Sequence, residues 1–266
     1  MIEGITIETK TGCNSSCTIC PNHYTPRPPH MMSLTEFKTI LEAFPHLKGV
    51  TLCGMYEPLT DPRLNDILDA ISHVQPQAEA TIFTNGALLH TAMREMLLSH
   101  TNLKNLIISI HGYTAKAYEA IMQGLNRDNV YANVEELVHL RGSKQTPRVS
   151  VSFVRIKQNI HELPDFRAFW KGKVDVVSDF EVCSWQGQVP VDALYYAQPT
   201  GRRECPMFDK PLVIDAYGNI VLCCYCFTYN YGHVLAGGLE KWLNKQRISD
   251  TYPLSECKKC NGWTFP

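Results

Sequence analysis

Short runs of apolar and β-branched residues alternate with longer amphipathic segments from residue 2 to about residue 185. The short runs have the length of strands, and the segments between them repeat their apolar positions with the period of a helix. This alternation is typical of βαβ units built around a parallel sheet. It predicts six units, with strands at residues 2–8, 49–53, 80–84, 105–110, 148–156 and 174–182.

Residues that favour the first turn of a helix stand at the start of several segments between these strands. The predicted helices are 36–44 with caps at Ser33 and Thr35, 63–73 after Asp61-Pro62, 115–122 after Thr114, 129–140 and 162–170. The proline-rich segment 22–32 shows neither the helical nor the strand period, so it is predicted to be a loop. This loop either covers the site at the cysteine motif described below or is an ordinary surface loop. Beyond Trp185 the periodicity breaks, and a cysteine-rich region follows with a predicted hairpin at 212–222 and a helix at 239–248.

Composition narrows the classes of function. The chain has 266 residues, 44% hydrophobic content and a formal net charge of -1. Its charges are scattered without a basic stripe, so a nucleic-acid partner is disfavoured. No apolar run reaches the length of a membrane span and the first residues do not resemble a signal peptide, which predicts a cytoplasmic protein that does not enter a membrane. Eleven cysteines in a reducing compartment indicate metal binding more than disulfides.

Three cysteines lie within eight residues directly after the first predicted strand. Cys13, Cys17 and Cys20 have CxxxCxxC spacing. Three thiolates can ligate three irons of a 4Fe-4S cubane, and no fourth cysteine in the same loop closes the cage, so one iron is left open. A structural zinc knuckle or buried free thiols are the alternatives, although zinc wants four ligands in a tetrahedral arrangement.

This motif, in this place after a strand, resembles that of the radical S-adenosylmethionine (SAM) superfamily. The resemblance implies a partial (βα)6 barrel of the TIM type, whose open side admits the substrate. It also implies that SAM chelates the open iron and that reduction by an external donor such as flavodoxin or ferredoxin yields methionine and a 5'-deoxyadenosyl radical. Ile19, inside the motif, is among the expected SAM contacts.

Further segments at predicted strand ends resemble SAM-binding elements of the same family. The segment after the second strand resembles its GGE motif, with Tyr56 where the family usually has glycine, and the segment after the third resembles its TNG motif; each is otherwise an ordinary turn. Strands four and five end in polar residues, of which Arg155 is as well explained as a solvated side chain. The expected SAM contacts are Gly54, Met55, Tyr56, Glu57, Thr84, Asn85, Ser109, Ser152 and Arg155.

The C-terminal region resembles SPASM and shorter twitch domains. Cys205-x12-Gly218-x4-Cys223 is followed by a CxxC pair at Cys257 and Cys260. The resemblance implies that these four cysteines fully ligate an auxiliary 4Fe-4S cluster, and a zinc site at the same residues is the alternative. Because the sequence stops at Pro266, one auxiliary cluster is expected. The expected division is a radical SAM core at 1–185, a linker at 186–204 and a twitch-like domain at 205–266.

Four cysteines remain. Cys53 and Cys183 end the second and sixth strands, where each is either a small buried side chain or a hydrogen-atom donor to a substrate radical. Strand alternation points Cys224 away from the auxiliary cluster, while one of Cys224 and Cys226 can replace a cluster ligand. His111, with an unperturbed pKa near neutrality, is a candidate acid or base.

The resemblance implies hydrogen abstraction from an unactivated C–H bond of a small natural-product, sugar or aminocyclitol-like substrate, followed by oxidation. Epimerisation or peptide modification with a cysteine hydrogen donor is the alternative, and a non-enzymatic iron-sulfur or zinc scaffold is a third. The cysteine motif begins at residue 13, so no separate N-terminal peptide-binding domain is expected. A small molecule or short peptide that binds unaided is therefore the expected substrate.

Overall fold

A nine-stranded sheet forms the centre of the protein. The computed structural model describes residues 2–191, 194, 201–202, 212–244, 260 and 264–265. Six of the nine strands are parallel to one another and follow chain order across the sheet: β1 (Gly4–Ile7), β3 (Gly49–Leu52), β4 (Glu79–Thr84), β5 (Leu103–Ser109), β7 (Arg148–Arg155) and β8 (Val176–Glu181). These are the six predicted strands, with ends that differ by no more than two residues. The parallel βαβ arrangement is confirmed.

Eight α-helices lie in the described part of the chain: α1 (Pro21–Tyr24), α2 (Leu34–Glu42), α3 (Leu64–Val74), α4 (Thr91–Ser99), α5 (Ala115–Ile121), α6 (Arg127–Arg141), α7 (Leu163–Trp170) and α8 (Leu239–Leu243). Ser33 caps α2 by accepting from the backbone N–H of Glu36, but Thr35 lies inside the helix and is not a cap. The segment 22–32, predicted to be a loop throughout, begins inside the single turn of α1. Helix α4 was not predicted.

One face of the parallel sheet is buried beneath the helices. A register row of apolar residues crosses five strands on this face, formed by Ile7, Leu52, Ile82, Leu106 and Val149, and all five are fully buried. Because side chains alternate between the faces of a strand, the residues next to them in sequence point to the opposite face. That opposite face contributes to the candidate site.

The predicted C-terminal hairpin is present and continues the core sheet. Strands β10 (Leu212–Ile214) and β11 (Asn219–Cys223) are antiparallel, and β12 (Cys226–His233) pairs with β11. Gly218 in the connecting turn has φ +76°, a conformation that favours glycine. Strand β10 pairs in parallel with β1, so the described part of the expected second domain extends the sheet of the first.

Helix α8 begins where the predicted C-terminal helix begins, and residues 245–248 of that prediction lie outside the described residues. A two-stranded pair joins β9 (Gly201–Arg202) to β13 (Thr264–Phe265). The domain boundaries at 185 and 205 stay a prediction. None of the described helices combines the length and apolar character needed to cross a membrane.

Candidate functional site

The three N-terminal cysteines lie in a loop, residues 11–21, between β1 and α1. The short strand β2 (Ser16–Cys17) pairs with β6 (Met122–Gln123), with Cys17 opposite Met122. The backbone N–H of Cys20 donates to the carbonyl of Cys17 at 3.0 Å, which closes the turn before α1. This cysteine loop is therefore held by backbone contacts at its centre and at its end.

Burial makes the thiols of Cys17 and Cys20 hard to ionise in the absence of a cation. It raises the pKa of Cys17 to about 12, although the Ser15 hydroxyl, 3.1 Å from the Cys17 sulfur, works in the other direction. It also raises the pKa of Cys20 to about 11, and the negative charge of Cys13 adds to the effect. Three neighbouring thiolates thus require positive charge to compensate their burial and mutual repulsion.

The chemistry of these donors fits a four-iron cluster. Within the described ranges, no group of three or more His, Cys, Asp or Glu side chains lies close enough together to hold a single metal ion. In a cubane each thiolate binds a different iron, so its ligands lie farther apart than the ligands of one ion. Soft thiolates without a carboxylate or imidazole among them are suited to iron-sulfur clusters.

Glu57 lies between the ends of β3 and β4 and is almost fully buried. Its Oε1 accepts from the Thr84 hydroxyl at 2.6 Å and from the backbone N–H of Leu59 at 3.0 Å, while its Oε2 accepts from the backbone N–H of Asn85 at 2.7 Å. Burial raises the pKa of Glu57 to about 7 despite these donors. The carboxyl group therefore fastens the GGE-like segment to the TNG-like segment.

Asn85 continues this connection to the cysteine loop. Its Nδ2 donates to Oδ1 of Asn14 at 2.7 Å and lies 3.8 Å from the sulfur of Cys13. The backbone N–H of Glu57 donates to the carbonyl of Gly12 at 3.3 Å. Two of the segments that resemble SAM-binding elements thus contact the loop that carries the three thiols.

A buried ion pair between Glu8 and Arg27 connects the backbone near the cysteine loop to the C-terminal hairpin. Arg27 donates through both Nη atoms to Glu8, at 2.7 and 2.8 Å, and the Glu8 side chain is inaccessible to solvent. Glu8 also accepts from the backbone N–H groups of Met55, at 2.5 Å, and Ala216, at 3.3 Å. A Cβ added at Gly54 would lie 2.3 Å from Glu8 Oε1, so this contact requires glycine.

The sheet face opposite the helix layer presents neutral hydrogen-bonding side chains. Most of them are partly exposed, unlike the fully buried residues beside them in sequence. Asn105 donates to the Thr81 hydroxyl at 3.2 Å. We call this surface the open face and define it by two register rows: Thr6, Thr51, Thr81 and Asn105, and then Ser109, Ser152 and Ser178.

Cysteines from three parts of the chain lie near the turn between β11 and β12. Burial raises the pKa of Cys183, and contact with Cys260 and the charge of Cys224 raise it further. Burial and the charge of Cys224 also raise the pKa of Cys53. Cys224 lies in the tight turn itself, so the strand alternation used to predict its direction does not apply. Cys205 and Cys257 lie outside the described residues.

His111 is buried and neutral. Burial lowers its pKa to about 4, and its Nδ1 accepts from the backbone N–H of Val154 at 3.1 Å. A neutral ring whose Nδ1 already accepts a hydrogen bond is suited to holding the last residues of β7. An acid or base role for His111 stays a prediction. That role would fall to Nε2, the other nitrogen of its ring.

Arg155 lies beside acidic residues. Its Nη2 is 2.8 Å from Glu181 Oε1 and its Nε is 3.3 Å from Asp179 Oδ2. By strand alternation Arg155 shares a face with Phe153, whose ring packs against Phe166 of α7 at a centroid distance of 4.9 Å. Arg155 therefore points to the helix side of the sheet, whereas its predicted companion Ser152 belongs to the open face.

Comparison with known proteins identifies the fold and the family. A family model described as the radical SAM superfamily matches residues 7–169. The chain belongs to the radical SAM superfamily. The matched range begins at the end of β1 and reaches into α7, so it includes the cysteine loop and the Glu57 contacts. No curated protein sequence matches this radical SAM chain.

Solved structures with the same fold include three in complex with a ligand. Streptococcus suis SuiB bound to its precursor peptide SuiA aligns with a TM-score of 0.75 and 14% identity, over 98% of this chain and 70% of that one. His-tagged anSMEcpe with bound AdoMet aligns at 0.69 and 13%, over 98% and 83%. BtrN in complex with AdoMet and 2-DOIA aligns at 0.64 and 16%, over 92% and 83%.

At such low identities these likenesses establish the fold and no more. Membership of the superfamily itself implies SAM and a 4Fe-4S cluster. The donor chemistry of the cysteine loop agrees with that implication.

The sequence did not reveal Glu8 or Arg27 as part of the site. The sequence signs of this pair were an acidic residue, Glu8, directly after an apolar strand and a single arginine, Arg27, among prolines. Nothing in a local pattern pairs residues nineteen positions apart through a buried salt bridge.

Proposed function

We propose that this protein binds SAM on a four-iron cluster held by Cys13, Cys17 and Cys20 and oxidises a small polar substrate. When bound, the reduced cluster and SAM supply a 5'-deoxyadenosyl radical, which takes a hydrogen atom from an unactivated C–H bond. The substrate class is a natural product of sugar or aminocyclitol type. The residues that bind SAM are Ile19, Gly54, Met55, Tyr56, Glu57, Thr84, Asn85, Ser109 and Ser152.

The observation that carries this proposal is the open face beside the cysteine loop. Ser109 is the last residue of β5, at the carboxyl end where parallel α/β proteins bind ligands, and Ser152 and Ser178 lie in the same register row. Hydroxyl side chains both donate and accept hydrogen bonds, as the ribose of SAM and a polyhydroxylated substrate beside it require. Arg155 is left out of the proposed SAM contacts because its side chain pairs with Glu181 and Asp179 on the other side.

The protein's own side chains hold and orient these partners. Glu57, fixed by Thr84 and Asn85, presents its carboxyl group at the carboxyl end of β3 for the amino group of SAM. The Glu8–Arg27 pair holds the backbone of Met55 beside the cysteine loop. Cys205, Cys223, Cys257 and Cys260 would hold an auxiliary cluster, and that cluster would supply an acceptor for the electron left on the substrate.

The position of the C-terminal thiols supports an electron acceptor near the substrate. Cys224, next to the proposed ligand Cys223, acts electrostatically on Cys53 at the end of β3. Cys260 contacts Cys183 at the end of β8. A cluster with four cysteine ligands has no vacant iron, which suits outer-sphere electron transfer. We therefore propose a twitch-like domain over 205–266, after a core at 1–185 and a linker at 186–204.

Peptide modification is the second candidate. It is favoured by the alignment with SuiB bound to its precursor peptide, at a TM-score of 0.75. In that case Cys53, which strand alternation assigns to the open side, would return a hydrogen atom to the substrate radical. An external electron donor of the flavodoxin or ferredoxin type belongs to both candidates.

A deuterium experiment separates them. The anaerobic protein is incubated with SAM, dithionite and candidate substrates in deuterated water, and mass spectrometry follows 5'-deoxyadenosine and the altered substrate. Oxidation predicts loss of two mass units without solvent deuterium at the attacked carbon. Solvent deuterium at that carbon, lost in Cys53→Ala or Cys183→Ala, would instead establish return of a hydrogen atom by a cysteine, as the second candidate requires, and absence of 5'-deoxyadenosine would reject both candidates.

A further inference from the structure

Tyr118 in α5 has a buried hydroxyl group without a partner. The residue is fully buried, and no atom in the described part of the chain forms a hydrogen bond with its hydroxyl. Nearly all buried polar groups in proteins are paired, because leaving one unpaired lowers the stability of the fold. The neighbouring Tyr131 follows the rule, since its hydroxyl donates to the carbonyl of Gly112 at 2.9 Å. The Tyr118 hydroxyl therefore lacks an acceptor that belongs at that position.

The missing acceptor lies on the side of the cysteine loop. Residues three positions apart share a helix face, so Tyr118 lies on the same side of α5 as Ile121, the last residue of that helix before Met122. The carbonyl of Ile121 accepts from the backbone N–H of Thr18 at 2.9 Å, and Met122 pairs with Cys17 in the β2–β6 ladder. One helical turn thus separates Tyr118 from backbone that contacts Cys17 directly.

Sulfur is the acceptor that this part of the loop offers. The Cys17 sulfur already has the Ser15 hydroxyl at 3.1 Å, but Ser15 also donates to the carbonyl of Gln123 at 3.0 Å. A thiolate or sulfide of an iron-sulfur cluster accepts hydrogen bonds, and such bonds to the sulfurs are among the factors that set the reduction potential. A phenol hydroxyl on the helix face next to this loop is a donor of the right type for such a bond.

We propose that Tyr118 donates its hydroxyl hydrogen to a sulfur of the N-terminal cluster, at or beside Cys17, and thereby raises the reduction potential of that cluster. The inference rests on the proposed function, because it needs the cluster. The bond favours the reduced state by partly compensating the extra negative charge. It places one control of the electron-transfer step on α5, outside the cysteine motif.

The test compares the reduction potentials of full-length, anaerobically reconstituted proteins. Tyr118→Phe removes one oxygen atom and keeps the ring, and Tyr131→Phe is the matched control because its hydroxyl has a backbone partner. Redox titration is followed by electron paramagnetic resonance of the signal that changes when SAM is added. Tyr118→Phe is expected to move the midpoint potential to a more negative value at unchanged iron content, while Tyr131→Phe leaves it in place.

A wild-type potential in Tyr118→Phe with normal iron content overturns the inference and leaves the proposed function intact. If the wild-type protein forms no cluster, the proposed function fails and the inference falls with it. If Tyr118→Phe does not fold, protein with 3-fluorotyrosine incorporated at position 118 takes its place in the redox titration. It retains the hydroxyl and strengthens it as a donor, so a more positive potential is expected, and an unchanged potential overturns the inference.

Discussion

Glu57 is the residue whose charge state most directly limits cofactor binding in the proposed site. Its carboxyl group is buried, accepts three hydrogen bonds from the protein and has a pKa raised by burial to about 7. Above that pH it is a carboxylate that can attract the SAM amino group, and below it the group becomes neutral. Charge attraction is therefore lost as the pH falls through the pKa.

We expect SAM affinity, measured by calorimetry on the cluster-loaded protein, to fall by roughly tenfold per pH unit below about pH 7. Glu57→Gln should bind SAM more weakly and with little dependence on pH, at unchanged iron content. Glu36→Gln, a change at the start of α2 near His233, is the control and should behave as the wild type. Loss of iron in Glu57→Gln would instead assign Glu57 to the support of the fold.

Gly54 is a second single-residue test, because it allows Glu8 to approach the backbone. A Cβ there would lie 2.3 Å from Glu8 Oε1, whereas a Cβ at Gly49, at the other end of β3, has no neighbour within 4 Å. Gly54→Ala should lower the free energy of unfolding by about 1–3 kcal/mol through overpacking. Gly49→Ala should change it little. Denaturation followed by circular dichroism compares the two, and equal effects would contradict the close contact.

For single residues, the sequence identified the three thiols of the cysteine loop but not the side chains that hold this loop in place. Cysteine spacing is a local pattern, and Cys13, Cys17 and Cys20 do share one loop. The roles of Glu8 and Arg27 depend on a contact across nineteen residues, and the approach of the end of α5 to Cys17 depends on β2–β6 pairing across the fold. Neither contact leaves a trace in local periodicity.

Among the elements, the proline-rich segment after α1 joins the core to the C-terminal hairpin. Arg27 pairs with Glu8 at the end of β1 and lies 5.1 Å from the ring centre of Phe227 in β12. The hydroxyl of Tyr217, before β11, donates to the carbonyl of Pro28 at 2.9 Å. This segment therefore connects the SAM-binding side of the site with the strands that carry the C-terminal cysteines.

Arg27→Met tests that connection by leaving the Glu8 charge buried without its partner. Removal of one member of a buried ion pair typically costs about 3–5 kcal/mol. We expect a loss of that size in the free energy of unfolding, measured by denaturant titration. The matched control is Lys48→Met, which breaks the exposed Lys48–Glu3 pair and should have little effect. Similar results for both variants would show that Arg27 is not part of a buried link.

The strands that the sequence predicted and the helix that it did not predict differ in the strength of their hydrophobic patterns. The six parallel strands are apolar, β-branched and flanked by turns, so their signal is strong. Helix α4 was missed because Leu97 is its one buried residue and its cap is His90, whose Nδ1 accepts from the backbone N–H of Met93. The hairpin was found from its turn, but its pairing with β1 spans about two hundred residues and has no local signal.

For the whole molecule, pairing of β10 with β1 makes the C-terminal strands an extension of the sheet that carries the cysteine loop. The cysteine turn between β11 and β12 and the cysteine loop therefore belong to one continuous scaffold within the described residues. Two clusters held on one sheet would have a fixed separation, as the proposed electron transfer from a substrate on the open face to an auxiliary acceptor requires. Metal content tests this arrangement.

Anaerobically reconstituted protein should carry about eight irons in two four-iron clusters. Replacing Cys13, Cys17 and Cys20 together with alanine should leave about half of the iron and abolish SAM binding. Replacing Cys223 and Cys260 should also leave about half, but SAM binding should persist because the open iron is untouched. Iron and acid-labile sulfide analysis, with Mössbauer spectroscopy to count the clusters, makes the comparison. About four irons together with bound zinc in the unmodified protein would reject the auxiliary cluster, since the same thiols then hold a single tetrahedral ion.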